Sequence, residues 1–163
     1  MLLSGELSMR LMSKIFASLL LVLMQSSFAA PSLVESFDQA TWRTLVSKQD
    51  QPALVIFTSV TCVHCPAAIK RLAAKRSAIA SHIPLVVVSM DAENNAALLQ
   101  DPHYASADRL FLFRGRSQAL QFSVNPEWRG MTPYVGFIDS RGGVRFSLGE
   151  PRDALLSEWL RPQ

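Results

Sequence analysis

The chain has 163 residues, of which 49% are hydrophobic and 18% are charged, and its formal net charge is +3. This length suits one domain, and the composition excludes a disordered chain because the apolar residues suffice to build a core. The 16 Lys and Arg residues are spread without a long basic run, which argues against nucleic-acid binding.

The first 29 residues have the pattern of an export signal. Arg10 and Lys14 form a basic flank, and residues 15–24 form an apolar run interrupted only by a serine. Ser27 and Ala29 then place small side chains where cleavage after Ala29 requires them. A stable transmembrane helix needs about 20 apolar residues, roughly twice the length of this run.

We therefore predict a signal peptide at residues 1–29 and one folded domain at residues 30–163. An uncleaved membrane anchor is the alternative. Translation could begin at Met9 or Met12, either of which would exclude Glu6, an unusual residue in a basic flank. Export matters for the cysteines because a disulfide persists outside the cytosol.

The domain begins with a helical pattern followed by a strand pattern. Residues 36–39 resemble a helix start, and Trp42, Leu45 and Val46 recur at the spacing of one helix face. The apolar run Ala-Leu-Val-Ile-Phe at residues 53–57 is typical of a strand buried on both faces.

A second buried strand is predicted at residues 84–91, with a helix between the two strands at residues 65–81. The predicted apolar face of this helix consists of Ile69, Leu72, Ala73 and Ile79. Its basic side chains, Arg76 among them, are predicted to form a solvated face. Strand, helix and strand in this order make a βαβ unit with a right-handed parallel crossover.

The C-terminal half contains shorter patterns. The predicted elements are a helix at 93–100, a strand at 110–113, strands at 131–139 and 144–148 around a turn at 140–143, and a helix beginning at Pro151. Residues 117–124 fit either a helix or the second arm of a hairpin. Phe111, Phe113 and Phe122 are predicted to lie in the core, and Ala154 on the apolar face of the last helix.

The only two cysteines, Cys62 and Cys65, lie in the sequence Thr-Cys-Val-His-Cys-Pro between the first buried strand and the next helix. As a staple, the pair closes too short a loop to remove much chain entropy. A structural zinc site needs four ligands, and only His64 lies beside the two thiols. A two-thiolate copper(I) site stays open as an alternative.

The position of the two cysteines favours redox chemistry. The strand-to-helix junction places Cys62 at a helix N-terminus, where free backbone N–H groups and the helix dipole favour a thiolate. A thiolate is the attacking species in disulfide exchange. Cys65 lies one turn further on, where it can resolve the mixed disulfide.

Residues 36–160 resemble a thioredoxin-fold protein of the exported, periplasmic kind. The matching parts are the apolar strand before Cys-Val-His-Cys, the long helix after it, and the segment Gly-Met-Thr-Pro-Tyr-Val-Gly-Phe-Ile-Asp. Thr132-Pro133 matches the cis-proline that, in this family, precedes a core strand and faces the two cysteines. The segment 93–128 resembles the insert of TlpA-like proteins. The resemblance implies an α/β fold of three layers, with helices flanking a mixed central sheet and an insert before the cis-proline strand.

The sequence departs from this family at two positions. Ile56 stands where thioredoxins carry a buried acid, and Thr61 stands where a tryptophan usually precedes the first cysteine. His64, directly before the second cysteine, resembles the DsbA-type oxidases. A histidine at that position stabilises the reduced thiolate and raises the reduction potential.

The predicted function is that of an exported thiol–disulfide oxidoreductase. Cys62 is the predicted nucleophile, Cys65 the resolving cysteine, and His64 the residue that tunes the thiolate. The resemblance implies that Thr132 and Pro133 present backbone to protein thiol or disulfide clients. The chemistry needs no bound organic cofactor, and a membrane thiol carrier is the expected redox partner.

Two alternatives belong to other functional classes. The first is a copper(I) metallochaperone in which Cys62 and Cys65 hold the ion, with His64 or a partner as the third ligand. The second is a binding module that keeps the fold with only vestigial redox chemistry, for which the absent acid at Ile56 is the only support.

Overall fold

A computed structural model describes residues 31–47, 52–92 and 94–161. Its strands are β1 (Val34–Phe37), β2 (Ala53–Thr58), β3 (Leu85–Ser89), β4 (Arg109–Phe113), β5 (Tyr134–Ile138) and β6 (Val144–Leu148). Its helices are α1 (Gln39–Ser47), α2 (Cys65–Ile79), α3 (Asn95–Gln100), a 3-10 turn (Pro102–Tyr104), α4 (Ser117–Val124) and α5 (Asp153–Leu160). The predicted signal peptide lies outside the described residues. Within them, no helix combines the length and apolar character needed to cross a membrane.

The strands form one mixed sheet in the order β1-β4-β3-β2-β5-β6. β1, β4, β3 and β2 run parallel to one another, whereas β5 is antiparallel to both β2 and β6. Helix α2 makes the crossover between the parallel strands β2 and β3, which confirms the predicted βαβ unit. The predicted hairpin of β5 and β6 is also present.

Helices cover both faces of the sheet because the central strands are apolar on both sides. All six residues of β2 are buried. Leu54 and Ile56 lie in the cluster that includes side chains of α2 and α5. Val55 and Phe57 point the opposite way, as alternation along a strand requires, and lie in the cluster with side chains of α1 and α4. The result is three layers, as predicted.

Some predicted core positions are wrong. Ile79 is 41% exposed and Phe122 is 64% exposed, and Ala154 is also exposed. Residues 117–124 form a helix, so Leu120 and Val124, four residues apart, share the buried face and Phe122 lies on the other side. Strand β1 was not predicted.

Arg76, predicted to lie on a solvated face, is only 3% exposed. Its guanidinium donates to the carboxylate of Asp108 and, over 3.1 Å, to the carbonyl of Ile83. Asp108 also accepts a hydrogen bond from the backbone N–H of Leu85 at 2.6 Å. Asp108, which directly precedes β4, therefore links the end of α2 to the start of β3.

We expect Arg76→Ala to lower the free energy of unfolding by about 2 kcal/mol, because it removes a buried side chain and the donor of the Ile83 carbonyl and of the partly exposed Asp108 carboxylate. Arg71 is the matched control on the same helix. It pairs with Glu150 and Asp153 but is one-third exposed, so Arg71→Ala should cost about 1 kcal/mol or less. Urea unfolding of both variants measures the difference, and equal losses would contradict the assignment.

Candidate active site

The two cysteines form a disulfide just beyond the C-terminal end of β2. Their Cα atoms are 5.4 Å apart. Cys65 is the first residue of α2 and is only 3% exposed, whereas Cys62 is partly exposed. Cys62 lies in the turn before the helix and not in its first turn, which corrects the predicted position. Of the two sulfur-bearing residues, Cys62 is therefore the one that a large molecule can approach.

His64 is the N-cap residue of α2. Its side chain is exposed and makes no capping hydrogen bond, while its carbonyl accepts the backbone N–H of Ala68 at 3.2 Å. Pro66 follows in the first turn, where its fixed φ suits a helix start. The imidazole therefore does not cap the helix, and the residue lies between the two cysteines in sequence.

An aspartate at the end of β3 holds the loop that leads to Cys62. Asp91 accepts the hydroxyl hydrogen of Ser59 at 2.6 Å and the backbone N–H of Val60 at 2.9 Å. Because β2 and β3 are parallel, their C-terminal ends meet at one edge of the sheet. Asp91 was not predicted as a site residue, because the sequence pattern placed it at the end of the buried strand 84–91.

The Thr132–Pro133 peptide bond is cis, as the resemblance implied. Pro133 directly precedes β5, and Tyr134 pairs with Phe57 near the C-terminal end of β2. The antiparallel pairing therefore brings Thr132 and Pro133 to the sheet edge that carries the cysteine loop. Trp128 is buried, stacks on Tyr134 at 4.7 Å between ring centroids, and donates its indole N–H to the carbonyl of Met131 at 2.9 Å.

Exposed apolar side chains accompany the disulfide. Val60 precedes Cys62, Val63 lies between the cysteines and is 82% exposed, and Met131 precedes the cis-proline segment. We refer to Val60, Val63 and Met131 as the apolar rim. Single exposed apolar residues are ordinary, but all three of these lie on loops at the sheet edge that carries the disulfide.

A cleft of about 250 Å³ lies beside the disulfide and extends to the 3-10 turn, and Val60 and Val63 of the apolar rim also line it. Both cysteines line it, together with Asp101, His103 and Tyr104. Burial raises the pKa of the Tyr104 hydroxyl above its usual value, and the charges of Asp101 and Asp91 act in the same direction. None of these three residues was predicted to belong to the site, and His103 was interpreted as a surface or loop residue, because nothing local in the sequence connects them to the cysteines.

Several other features bear on the predictions. Ile56 is fully buried in the core, and Thr61 is exposed in the loop before Cys62. A second cleft of about 250 Å³ lies at the opposite end of the sheet, between Pro52, His82 and Asp139, far from the cysteine loop. Among residues 31–47, 52–92 and 94–161, no group of three or more His, Cys, Asp or Glu side chains is arranged to hold a metal ion.

Neither a protein-family model nor a curated protein matches this sequence. Solved structures do match. A secreted disulfide oxidoreductase of Mycobacterium tuberculosis, homologous to E. coli DsbE, is 18% identical with a TM-score of 0.54, covering 78% of this chain and 92% of its own. A thiol:disulfide interchange protein of the thioredoxin family from Chlorobium tepidum is 16% identical with a TM-score of 0.54, covering 81% and 92%. The exposed lipoprotein thioredoxin Etrx1 of Streptococcus pneumoniae is 15% identical with a TM-score of 0.51, covering 71% and 87%.

The fold is therefore thioredoxin-like, as predicted. At these levels of identity the likeness concerns the fold, and what the cysteines do follows from the site itself.

We expect Asp91→Ala to loosen the cysteine loop, because it removes the acceptor of both the Ser59 hydroxyl and the Val60 N–H. Two such bonds contribute about 1–2 kcal/mol to the free energy of unfolding, and hydrogen–deuterium exchange at the Val60 amide should accelerate. Asp91→Asn is the control, since it keeps an oxygen for the Val60 N–H and should leave that amide protected. Equal exchange rates in the wild type and Asp91→Ala would show that Asp91 does not hold the loop.

Proposed function

We propose that this protein is an exported thiol–disulfide oxidoreductase acting on protein clients. One observation carries the proposal: an accessible cysteine is joined in a disulfide to a buried cysteine that begins a helix, at the edge of a thioredoxin-like sheet. Such a short disulfide loop adds little to stability. The disulfide is better explained as a redox-active bond that is reduced and formed again during the reaction.

The difference in exposure between the two cysteines assigns their roles. Cys62, partly exposed, is the sulfur that a client reaches. In the reductive direction its thiolate attacks the client disulfide and forms a mixed disulfide, and Cys65 then attacks Cys62 and releases the client thiol. In the oxidative direction the same steps run in reverse, and neither direction requires an organic cofactor.

The surroundings of Cys62 favour a protein client over a small polar one. The apolar rim offers contacts to apolar side chains of the client, and the backbone of Thr132 offers hydrogen-bonding groups at the same sheet edge. Pro133 has no N–H, and its carbonyl already accepts the N–H of Gly149 at 2.8 Å. Export would follow from residues 1–29 and would place the protein in the periplasm. A membrane thiol carrier is the partner we propose for restoring its redox state.

Exchange requires that Cys62 act first. We expect Cys65→Ser to accumulate a mixed disulfide with a model disulfide peptide, because the resolving thiol is absent. Cys62→Ser should react far more slowly, because Cys65 is buried. Mass spectrometry of the trapped adducts measures both outcomes, and normal exchange by Cys62→Ser would contradict the assigned nucleophile.

The redox equilibrium of the metal-free protein with glutathione tests the function as a whole. A reversible couple near −120 mV, the DsbA value, would make the protein a disulfide donor, and one near −270 mV, the thioredoxin value, would make it a reductase. Absence of exchange together with tight binding of copper(I) by the two thiols would refute the oxidoreductase and support the metallochaperone alternative.

His64 should raise the reduction potential, because an imidazole next to the cysteine pair in the chain can donate a hydrogen bond that stabilises the reduced thiolate. We expect His64→Ala to lower the potential by about 30 mV, equivalent to about 1.4 kcal/mol for a two-electron couple. His82→Ala is the control, because His82 is exposed at the opposite end of the sheet. An unchanged potential in His64→Ala would show that the residue does not tune the pair.

A further inference from the structure

Resolution of the mixed disulfide poses a problem of proton transfer. Cys65 attacks as a thiolate, so its thiol must first lose a proton. The side chain is 3% exposed, and α2 presents Ala68 and Ile69 to the core below it. Ile56, on the sheet face that α2 covers, is apolar and fully buried. The core beneath the cysteine therefore offers no base among these neighbours.

The cleft beside the disulfide does offer one. Asp101, His103 and Tyr104 line it together with Cys65. Asp101 carries a carboxylate, which at neutral pH is a weak base, and burial keeps the Tyr104 phenol neutral. His103 carries the imidazole of the three, the side chain that most often serves as a general base in proteins.

The contacts of Asp101 set the orientation and tautomer of the His103 ring. The Oδ1 atom of Asp101 lies 2.8 Å from Nδ1 of His103 and also accepts the backbone N–H of His103 at 2.9 Å. A carboxylate only accepts hydrogen bonds, so the neutral ring carries its hydrogen on Nδ1. The lone pair is then on Nε2, which can receive a proton.

Tyr104 fixes this pair beside the cleft. Its side chain is buried in the cluster that includes residues of α2, and its backbone N–H donates to the carbonyl of Asp101 at 3.1 Å. Asp101 caps the 3-10 turn, and the turn contacts α2 directly. The Asp101–His103 pair is thus held by the fold, although His103 itself remains 55% exposed.

We propose that His103, oriented by Asp101, accepts the proton of the Cys65 thiol when the mixed disulfide is resolved. This inference rests on the proposed exchange function and adds the acid–base group of its second step. Asp101 is a positioning residue, since it acts through His103.

Protons and electrons balance in this step. Nε2 of His103 takes the proton from Cys65, and the resulting thiolate attacks the sulfur of Cys62. The bond between Cys62 and the client sulfur breaks, its electron pair leaves with the client thiolate, and the imidazolium returns the proton to that thiolate. The dithiol is oxidised by two electrons, the client disulfide is reduced by two, and His103 ends neutral.

The pH dependence of the step involves a defined set of neighbouring groups. The other titratable side chains that line the cleft are Cys62, Cys65, Asp101 and Tyr104. Asp91 lies behind the loop and faces Ser59 and Val60. Helix α3 has no titratable residue, and the cations of α2, Lys70, Arg71, Lys75 and Arg76, do not line the cleft.

Reaction of the reduced full chain with an aromatic disulfide that releases a coloured thiolate separates the two steps. The first equivalent of colour reports attack by Cys62, and the second reports resolution by Cys65. Because the aromatic thiolate leaves without needing a proton, the second rate depends on deprotonation of Cys65. Stopped-flow absorbance over a range of pH gives both rates.

We expect His103→Ala to leave the first rate unchanged and to slow the second on the order of 10²-fold, the lower end of general acid–base contributions. Added imidazole should restore the second rate in His103→Ala. Asp101→Asn should shift the pH profile of that rate, because it removes the carboxylate that orients the ring. His82→Ala is the control and should match the wild type with or without imidazole.

The outcomes separate the two proposals. If the wild type releases no thiolate, the oxidoreductase function itself fails. If the wild type shows two phases and His103→Ala shows the same second rate and pH profile, His103 is not the proton acceptor. A slower second phase that imidazole does not restore, or an equal effect in His82→Ala, also overturns the proposal. Circular dichroism checks that each variant is folded.

Discussion

The burial of β2 on both faces is the constraint on which the rest of the structure depends. A strand without a polar side must have helices on both faces and a neighbour on each edge. Its neighbours run in opposite directions, β3 parallel and β5 antiparallel. This combination brings the end of β2, the end of β3 and the start of β5 to one edge of the sheet. The cysteine loop, Asp91 and the Thr132–Pro133 segment meet there for that reason.

The elements that the sequence predicted well are those whose signal is local and strong. The apolar runs of β2 and β3 have no alternative to burial, and the hairpin of β5 and β6 surrounds a turn rich in glycine. Residues 117–124 were ambiguous because Leu120, Phe122 and Val124 also alternate as a strand would. Packing decides the matter, since a helix buries Leu120 and Val124 together and leaves Phe122 in solvent.

The features that escaped prediction depend on contacts distant in sequence. Arg76 is buried because the carboxylate of Asp108, directly before β4, neutralises its charge. No pattern within α2 indicates that Asp108 is its partner. Strand β1 exists through its pairing with β4, where Phe37 lies opposite Phe113. In the site, the same limit separates the cysteines, which the motif identified, from Asp91 and His103, which reach them only through the fold.

His64 and His103 are proposed to affect two different properties of the chemistry, the reduction potential and the rate of exchange. The reduction potential compares the disulfide with the dithiol, so it responds to a group that stabilises the thiolate in one of these end states. His64, beside Cys62 in the chain and exposed at the helix start, occupies such a position. A proton carrier that is neutral before and after the cycle leaves both end states unchanged and alters only the barrier between them. His103, across the cleft on a separate element, has that relation to the cysteines. In this proposal the start of α2 influences the equilibrium of exchange, and the 3-10 turn influences its rate.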